Sequence, residues 1–521
     1  MIEPAAHRFV GGNGHVVTAV LSILLFVVLY LSLGVRTALL SIPALLVLPF
    51  VISSLNKEIG KNKGVEVDLG REGPEIIALM SVSLHSGDSL ETAVGFISDG
   101  VGAAADHFRN ILWDVGTRRN ASVREALTSD PEFNDGSPLS LSMQLLVAAS
   151  DARSIEERTE MVEEANRIII EGMRSSLERF VASLNVPAMT VFAAGIILPL
   201  ICVSLLPLMS IGQNIGMGGG YGHLAIAGML LLPLGVAFYM RSVLRRNPLP
   251  LEISYPSSYL VIIIASIPST AVLAVLGASP ILALGVGCLP ICLYVRWRLD
   301  GAMERRNVLK AGEEEMGSNL LNLGNHLRSG KGLEAALEDS LPSNRAAREA
   351  TDRMLHYLRC TRMEVSETVS KAFSEISNTA SIYRAVFMAT AKDASQAGIL
   401  CIRLGKNLHQ RKVSKEEVVN RMRSLTDMMS ATSTIFAPLV LGIGLSLATP
   451  LRHMGQGIDA ATVTLTGIYL IELAILTSWI GCRLEGVDST AAIAHRSAGR
   501  IPVALLAFLI SWRVLSGGVL G

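Results

Sequence analysis

Apolar residues gather into nine blocks along the chain, and in two long polar stretches between them they recur instead at helical spacing. The blocks run from about Val16 to Leu33, Thr37 to Leu55, Pro187 to Met209, Leu224 to Met240, Tyr259 to Leu276, Ile281 to Val295, Ile435 to Leu447, Val463 to Ile480 and Ile501 to Val514. The first two are each long enough to cross a bilayer, and the pattern as a whole predicts about nine transmembrane helices. Only Gly34, Val35 and Arg36 separate blocks one and two, and only Gly277-Ala278-Ser279-Pro280 separates five and six, so both pairs read as tight hairpins. A signal peptide competes for the first block. Its charged lead-in carries little beyond Arg8 and no small-x-small site follows, so it reads as a retained anchor.

The polar stretches, about 57–179 and 296–427, predict helical domains. Ile76, Ile77, Leu79, Met80 and Leu84 mark one helix face. Asp88 with Glu91 suggests a capping box for the next helix. Further helices are expected after Ser122, after Pro138 through Met143, Leu145 and Leu146 to Ala149, and from Ser154 to Arg179. The last has no breaker but Gly172 and is expected to run on past Pro187 into the membrane, coupling the polar domain mechanically to the third span.

One ten-residue stretch occurs twice. Leu84-His85-Ser86-Gly87-Asp88-Ser89-Leu90-Glu91-Thr92-Ala93 returns 243 residues later as Leu327-Arg328-Ser329-Gly330-Lys331-Gly332-Leu333-Glu334-Ala335-Ala336. In each copy a helix runs up to a Gly able to take positive φ, and a Leu-Glu-x-Ala run opens the next. Val123-Arg124-Glu125 matches Val365-Ser366-Glu367, and Ala149-Ser150-Asp151-Ala152 matches Ala391-Lys392-Asp393-Ala394, both at an offset of 242; Val191-Phe192-Ala193 matches Ile435-Phe436-Ala437 at 244. Two spans precede and two follow each polar stretch, so the copies share one membrane orientation, with span nine added. The expected fold is all-α: a polytopic membrane protein with two cytoplasmic helical-bundle domains related by internal duplication. Its segments are a hairpin over 1–56, the first domain over 57–186, spans three and four over 187–240, a loop and hairpin over 241–295, the second domain over 296–432, and spans seven to nine over 433–521.

Composition supports the membrane reading: half of the 521 residues are hydrophobic, 17% are charged, and mean hydropathy is +0.45. No alternating ten-residue pattern points to an outer-membrane barrel. Arg8, Lys57, Arg241, Arg245, Arg246, Arg296, Arg298, Arg483, Arg496 and Arg500 all fall on one side of the proposed spans, against Arg36 and Arg452 on the other, which puts the N-terminus and both polar domains in the cytoplasm and the C-terminus outside. The formal net charge of zero hides a segregation: residues 57–179 carry 13 Lys/Arg and 22 Asp/Glu, whereas residues 296–427 carry 22 and 17. Opposite signs favour docking of the domains on one another, or of each on a partner surface. For a partner, Arg328, Lys331, Arg411, Lys412 and Lys415 are the best contacts.

Catalytic chemistry is not expected, nor is a cofactor, a metal or nucleic-acid binding. The glycines from Gly216 to Gly220 lack a following Lys-Ser/Thr and read as an outer loop. No GxSxG or HExxH occurs, and Glu163-Glu164 and Glu313-Glu314-Glu315 read as solvated helix faces. Cys202, Cys288, Cys292, Cys360, Cys401 and Cys482 form no CxxC pair and read as free thiols. Glu472, near the middle of span eight, is the exceptional ionisable group within a span, and it has either a structural hydrogen bond or a coupling role.

The doubled Leu-x-Ser-Gly-x-x-Leu-Glu-x-Ala hairpin, the later Val-x-Glu turn and the long helix entering a span resemble the type II secretion system F domain. This is the platform-protein family of type II secretion, type IV pilus, Tad pilus and archaellum machines, and the doubled arrangement is similar to the archaeal form. Gly87, Leu90, Glu91, Gly330, Leu333 and Glu334 carry the motif. The resemblance implies a non-enzymatic scaffold in the cell membrane that couples a cytoplasmic hexameric secretion ATPase to prepilin-like subunits drawn from the bilayer; it leaves a homodimer open. The copies differ at Gly398 and Gly405, which have no counterparts between Ala149 and Asn166. The alternative is a secondary transporter with parallel internal repeats, disfavoured by the apolar spans and the bulk of the cytoplasmic domains.

Overall fold

The computed structural model describes residues 69–85, 87–98, 103–193, 197, 198, 201, 233, 235–244, 247, 252, 253, 263, 280–360, 365–373, 377–390, 394–447 and 460–517. Spans one and two, nearly all of span five, most of spans three and four, and the Gly212–Gly220 loop lie outside these residues. The described chain is all-α except for one parallel pair of two-residue strands, β1 (Glu252–Ile253) and β2 (Val487–Asp488), with Glu252 opposite Val487.

The first helical module contains α1 (Leu69–His85), α2 (Leu90–Ser98), α3 (Ala103–Gly116), α4 (Val123–Ser129), α5 (Pro138–Ala149) and α6 (Ile155–Ser183). Ile76, Ile77, Leu79, Met80 and Leu84, the apolar face read from the sequence, are all buried. Gly87 has φ of +76° and closes α1. Its N–H donates to the Leu84 carbonyl and that of Asp88 to the Ser83 carbonyl, each at 3.1 Å, which is the Schellman pattern. The cap of α2 lies one residue later than expected. Ser89 Oγ accepts from the Thr92 N–H at 3.3 Å, while the Asp88 carboxylate accepts from Ser83 Oγ at 3.2 Å. With Leu90 as the first helical residue, Ser89 is the side chain that reaches the third amide. Ser122 and Ser154 cap α4 and α6 by accepting from Glu125 and Glu157, and Ser137 caps α5 ahead of Pro138. α6 ends at Ser183 and, after the turn residue Leu184, a separate helix α7 (Asn185–Phe192) begins, so the single helix expected to run past Pro187 is interrupted three residues before it.

The same order of elements recurs in the second module. It contains the C-terminal part of α8 (Pro280–Arg328), then α9 (Leu333–Asp339), α10 (Arg345–Cys360), α11 (Val365–Ala372), α12 (Ser377–Thr390) and α13 (Ala394–Ala431). Gly330 has φ of +87°, its N–H donates to Leu327 at 3.0 Å, and the Lys331 N–H donates to His326 at 3.2 Å. These are the bonds of the first hairpin, residue for residue. After α13 a π-helical turn, Thr432–Phe436, leads into α14 (Ala437–Leu447), so helix is unbroken from Ala394 to Ser446, 53 residues or about 80 Å. Where the sequence suggests span six ending at Arg296 and Arg298, the backbone continues: α8 is one 49-residue helix running from that apolar block into the second module. Basic residues mark where a helix leaves apolar surroundings, whereas ending the helix requires a breaker, and the first positive-φ residue after Pro280 is Gly330.

Gly398 and Gly405 explain how the modules differ. A Cβ on Gly398 would lie 2.6 Å from the Arg328 nitrogen and 2.9 Å from the Gly324 carbonyl, and one on Gly405 would lie 2.8 Å from Leu321 Cγ. The glycines let α13 lie directly on the α8 backbone. In the first module the corresponding helices are held apart by side chains, and Asn166 of α6 bridges the gap by donating to Ser81 Oγ of α1 at 2.7 Å.

Both modules feed one core, in which Leu69, Ile76, Met80, Phe108 and Ile169 are continuous with Met316, Leu320, Phe373, Tyr383 and Cys401. A second core joins α8 and α14 to α15 (Ala460–Leu484) and α16 (Thr490–Gly517) through Leu284, Cys292, Leu441, Tyr469, Ile501 and Phe508. Among the described residues three helices are long and apolar enough to cross a membrane, lying within Ala394–Ser446, Thr466–Leu484 and Thr490–Val514. Two of them also have apolar outward faces: Ile435, Phe436, Leu439 and Ile443 are exposed on the first, and Val503, Leu506, Ile510 and Val514 form an exposed stripe along α16 opposite the buried Ile501, Leu505 and Phe508. A helix apolar on both faces belongs in lipid. The chain is a membrane-associated all-α protein.

Candidate functional site

The two hairpin tips are the first candidate surface. Leu90 is buried beneath its tip, Leu333 half-buried beneath the other, and Glu91 and Glu334 are exposed. Arg328 is exposed, as is Lys331, whose ammonium pairs with Asp339 at 2.5 Å and holds that carboxyl below its usual range. Glu334, Glu338 and Arg359 line an open groove beside Leu333, where Arg359 bonds Glu338 at 2.6 Å and lies 3.8 Å from Glu334.

The second surface is the seam between the modules, where their opposite charges meet. Arg403 of α13 lies 3.4 Å from Glu163 of α6 and donates to His85 Nε2 of α1 at 2.7 Å. Accepting that bond requires an unprotonated Nε2, and burial, then Arg403 and Arg158, lower the His85 pKa to about 4. Glu75 of α1 faces Arg411. Burial raises the Glu75 carboxyl, Arg411 pulls it back, and Glu72 adds to the rise; burial in turn lowers Arg411 against the pull of Glu75. The five basic residues nominated for a partner are therefore not brought together. Arg328 and Lys331 sit at the second tip, Arg411 turns into the seam, Lys412 pairs with Glu314 of α8 at 3.4 Å, and Lys415, half-buried, is engaged within the chain. The sequence signal for the seam was the charge segregation itself, which fits mutual docking.

Within the apolar bundle, Glu472 of α15 has a buried carboxyl oxygen, Oε2, without a hydrogen-bond partner among the described residues. One and a half turns on, Thr477 Oγ1 lies 3.1 Å from Ser433 Oγ in the π-helical turn. The described cysteines are free, Cys288, Cys292, Cys401 and Cys482 buried and Cys360 exposed, while Cys202 lies outside the described residues. No group of three metal-ligating side chains occurs among the described residues. Comparison with family models, with curated proteins and with solved structures finds no match for this chain.

Proposed function

We propose that the chain is a cytoplasmic-membrane platform, similar to the doubled type II secretion system F domain proteins, on which a type IV pilus-like filament is assembled or protein is secreted. In this reading the chain spans the bilayer about nine times, with both modules and the N-terminus in the cytoplasm and the C-terminus outside. The observation that carries it is the pair of helical modules closed by the same Schellman turn at Gly87 and Gly330, each continuing through a long helix toward apolar helices. In the second module the 53-residue helix Ala394–Ser446, with its π-helical turn at Thr432–Phe436, carries a push on the module toward the bilayer. A hexameric secretion ATPase acts on the modules, and prepilin-like subunits leave the bilayer beside the spans. The exposed Arg328 and Lys331 are the contacts left for the ATPase, since Arg411 faces the seam. Co-purification of that ATPase with the detergent-solubilised chain tests the proposal. Arg328→Glu/Lys331→Glu abolishes the association without unfolding the protein; retained association contradicts it.

A further inference from the structure

Arg296 of α8 lies across α16 at Gly499. A Cβ on Gly499 would fall 2.7 Å from Arg296 Nη1, so the missing side chain is what lets the guanidinium rest on the α16 backbone. An arginine in a helix ordinarily finds a carboxylate four residues on. Here that residue is Asp300, and it is taken: its Oδ1 lies 2.7 Å from His495 Nε2 of α16. Arg296 is exposed and has no acidic partner among the described residues. Both helices change character at this level. α8 carries no charged side chain from Pro280 to Val295 and turns basic at Arg296, while α16 is basic through Arg500 and uncharged from Ile501 to Trp512. Toward their apolar ends, Val286 and Leu293 are exposed on α8, and Val503, Leu506 and Ile510 on α16. Those three stand 4, 7 and 11 residues beyond Gly499 and so continue its face. Tyr294 and Trp297, 51% and 75% exposed, flank Arg296 where amphipathic rings sit at the edge of a bilayer.

We propose that Arg296, seated on Gly499, is the headgroup site for one anionic phospholipid, whose phosphodiester takes the guanidinium and whose acyl chain lies along Leu293, Val503 and Leu506. A planar guanidinium offers two parallel N–H groups to two phosphate oxygens, a fit that a point charge lacks. A free phosphate would use the same cation and leave the apolar faces bare; the lipid covers both. Other basic groups stand at the same level: Arg298 on α8, exposed and without an acidic partner among the described residues, and on α16 Arg496, bonded to Glu485, and Arg500, which donates to Ser478 Oγ at 3.3 Å. Their combined charge favours an anionic over a zwitterionic headgroup. The site goes beyond the platform reading and requires only that α16 lie in the bilayer.

The test uses the full-length chain, purified in mild detergent, stripped of lipid and titrated with phosphatidylglycerol or phosphatidylcholine while native mass spectrometry counts the lipid bound. Wild type holds its tightest phosphatidylglycerol about tenfold more firmly than phosphatidylcholine. Arg296→Gln weakens that phosphatidylglycerol about tenfold, the loss of one charge-assisted pair. Gly499→Ala keeps every charge but pushes the guanidinium off the helix, and it weakens binding as well. Arg298→Gln, about 200° around α8 from Arg296, leaves binding unchanged. Thermal unfolding in the same detergent shows that each variant is folded. Millimolar inorganic phosphate does not displace the lipid. The proposal is overturned if folded Arg296→Gln and Gly499→Ala bind as wild type does, if Arg298→Gln weakens binding as much as Arg296→Gln, which would mean diffuse surface charge, or if inorganic phosphate displaces the lipid.

Discussion

Alanine at Gly398 puts a number on the contact between α13 and α8. Its Cβ would sit 2.6 Å from the Arg328 nitrogen and 2.9 Å from the Gly324 carbonyl, and backbone atoms cannot swing aside as a side-chain end can. Overpacking of this kind costs about 1–3 kcal/mol, and the upper half applies where both neighbours are backbone. Replacing Gly inside a helix returns about 1 kcal/mol of propensity. The net loss is about 1–2 kcal/mol, a Tm lower by about 3–6 °C for a unit of 150–250 residues. Gly95 in α2 is the control, because a Cβ there meets nothing within 4 Å; Gly95→Ala keeps the propensity gain and raises Tm. Gly324 is reciprocal, its Cβ falling 2.7 Å from the Gly398 carbonyl. Once one alanine has parted the helices the second costs less, so Gly324→Ala/Gly398→Ala loses less than the sum of the singles. Thermal unfolding in one detergent at one scan rate reads all four variants. A Gly398→Ala protein as stable as wild type would refute the close approach.

Acid should loosen the seam. The folded pKa of His85, about 4, lies below its ordinary 6.5, so its contribution is present above pH 6.5 and is lost as pH falls toward 4. His85→Gln, which does not titrate, removes on the order of 2 kcal/mol from that decline; identical pH profiles of denaturant stability for variant and wild type would dismiss the reading. Asn166 donates to Ser81 Oγ and to the Val162 carbonyl at 2.7 and 2.8 Å in a buried site. Asn166→Ala therefore lowers unfolding free energy by about 1–2 kcal/mol, whereas Ser81→Ala/Asn166→Leu, which removes both partners, costs less; the reverse order in chemical denaturation would contradict the pairing. Ser154→Ala deprives α6 of its cap at Glu157 and costs about 1 kcal/mol in the same assay.

Local signals in the chain proved readable where one residue type settles the geometry. Gly87 and Gly330 take the positive φ that their place after an apolar helix demanded, and Ser122, Ser154 and Pro138 start helices as their chemistry suggests. The cap of α2 was displaced because Asp88 and Ser89 both carry capping oxygens, and only the helix register chooses between them. The continuity of α8 was not legible, since a change from apolar to basic composition at Arg296 reports a change of surroundings and says nothing of the backbone. The pairing of β1 with β2 joins short segments more than 230 residues apart and has no local signature. Charge segregation signalled that the polar stretches could dock, but it did not say which residues meet: Glu163 with Arg403 and Arg174 with Glu417 follow only from the packing of α6 along α13.

The placement of both hairpin tips on one side of the bilayer is tested by single-cysteine labelling at Glu91 and at its equivalent Glu334, both exposed. Each is changed to Cys in a background with all six native cysteines replaced by Ser and treated with a membrane-impermeant maleimide in right-side-out and inverted vesicles. The account predicts that both positions react in inverted vesicles and that neither reacts in right-side-out ones. Labelling of the two from opposite sides would contradict it.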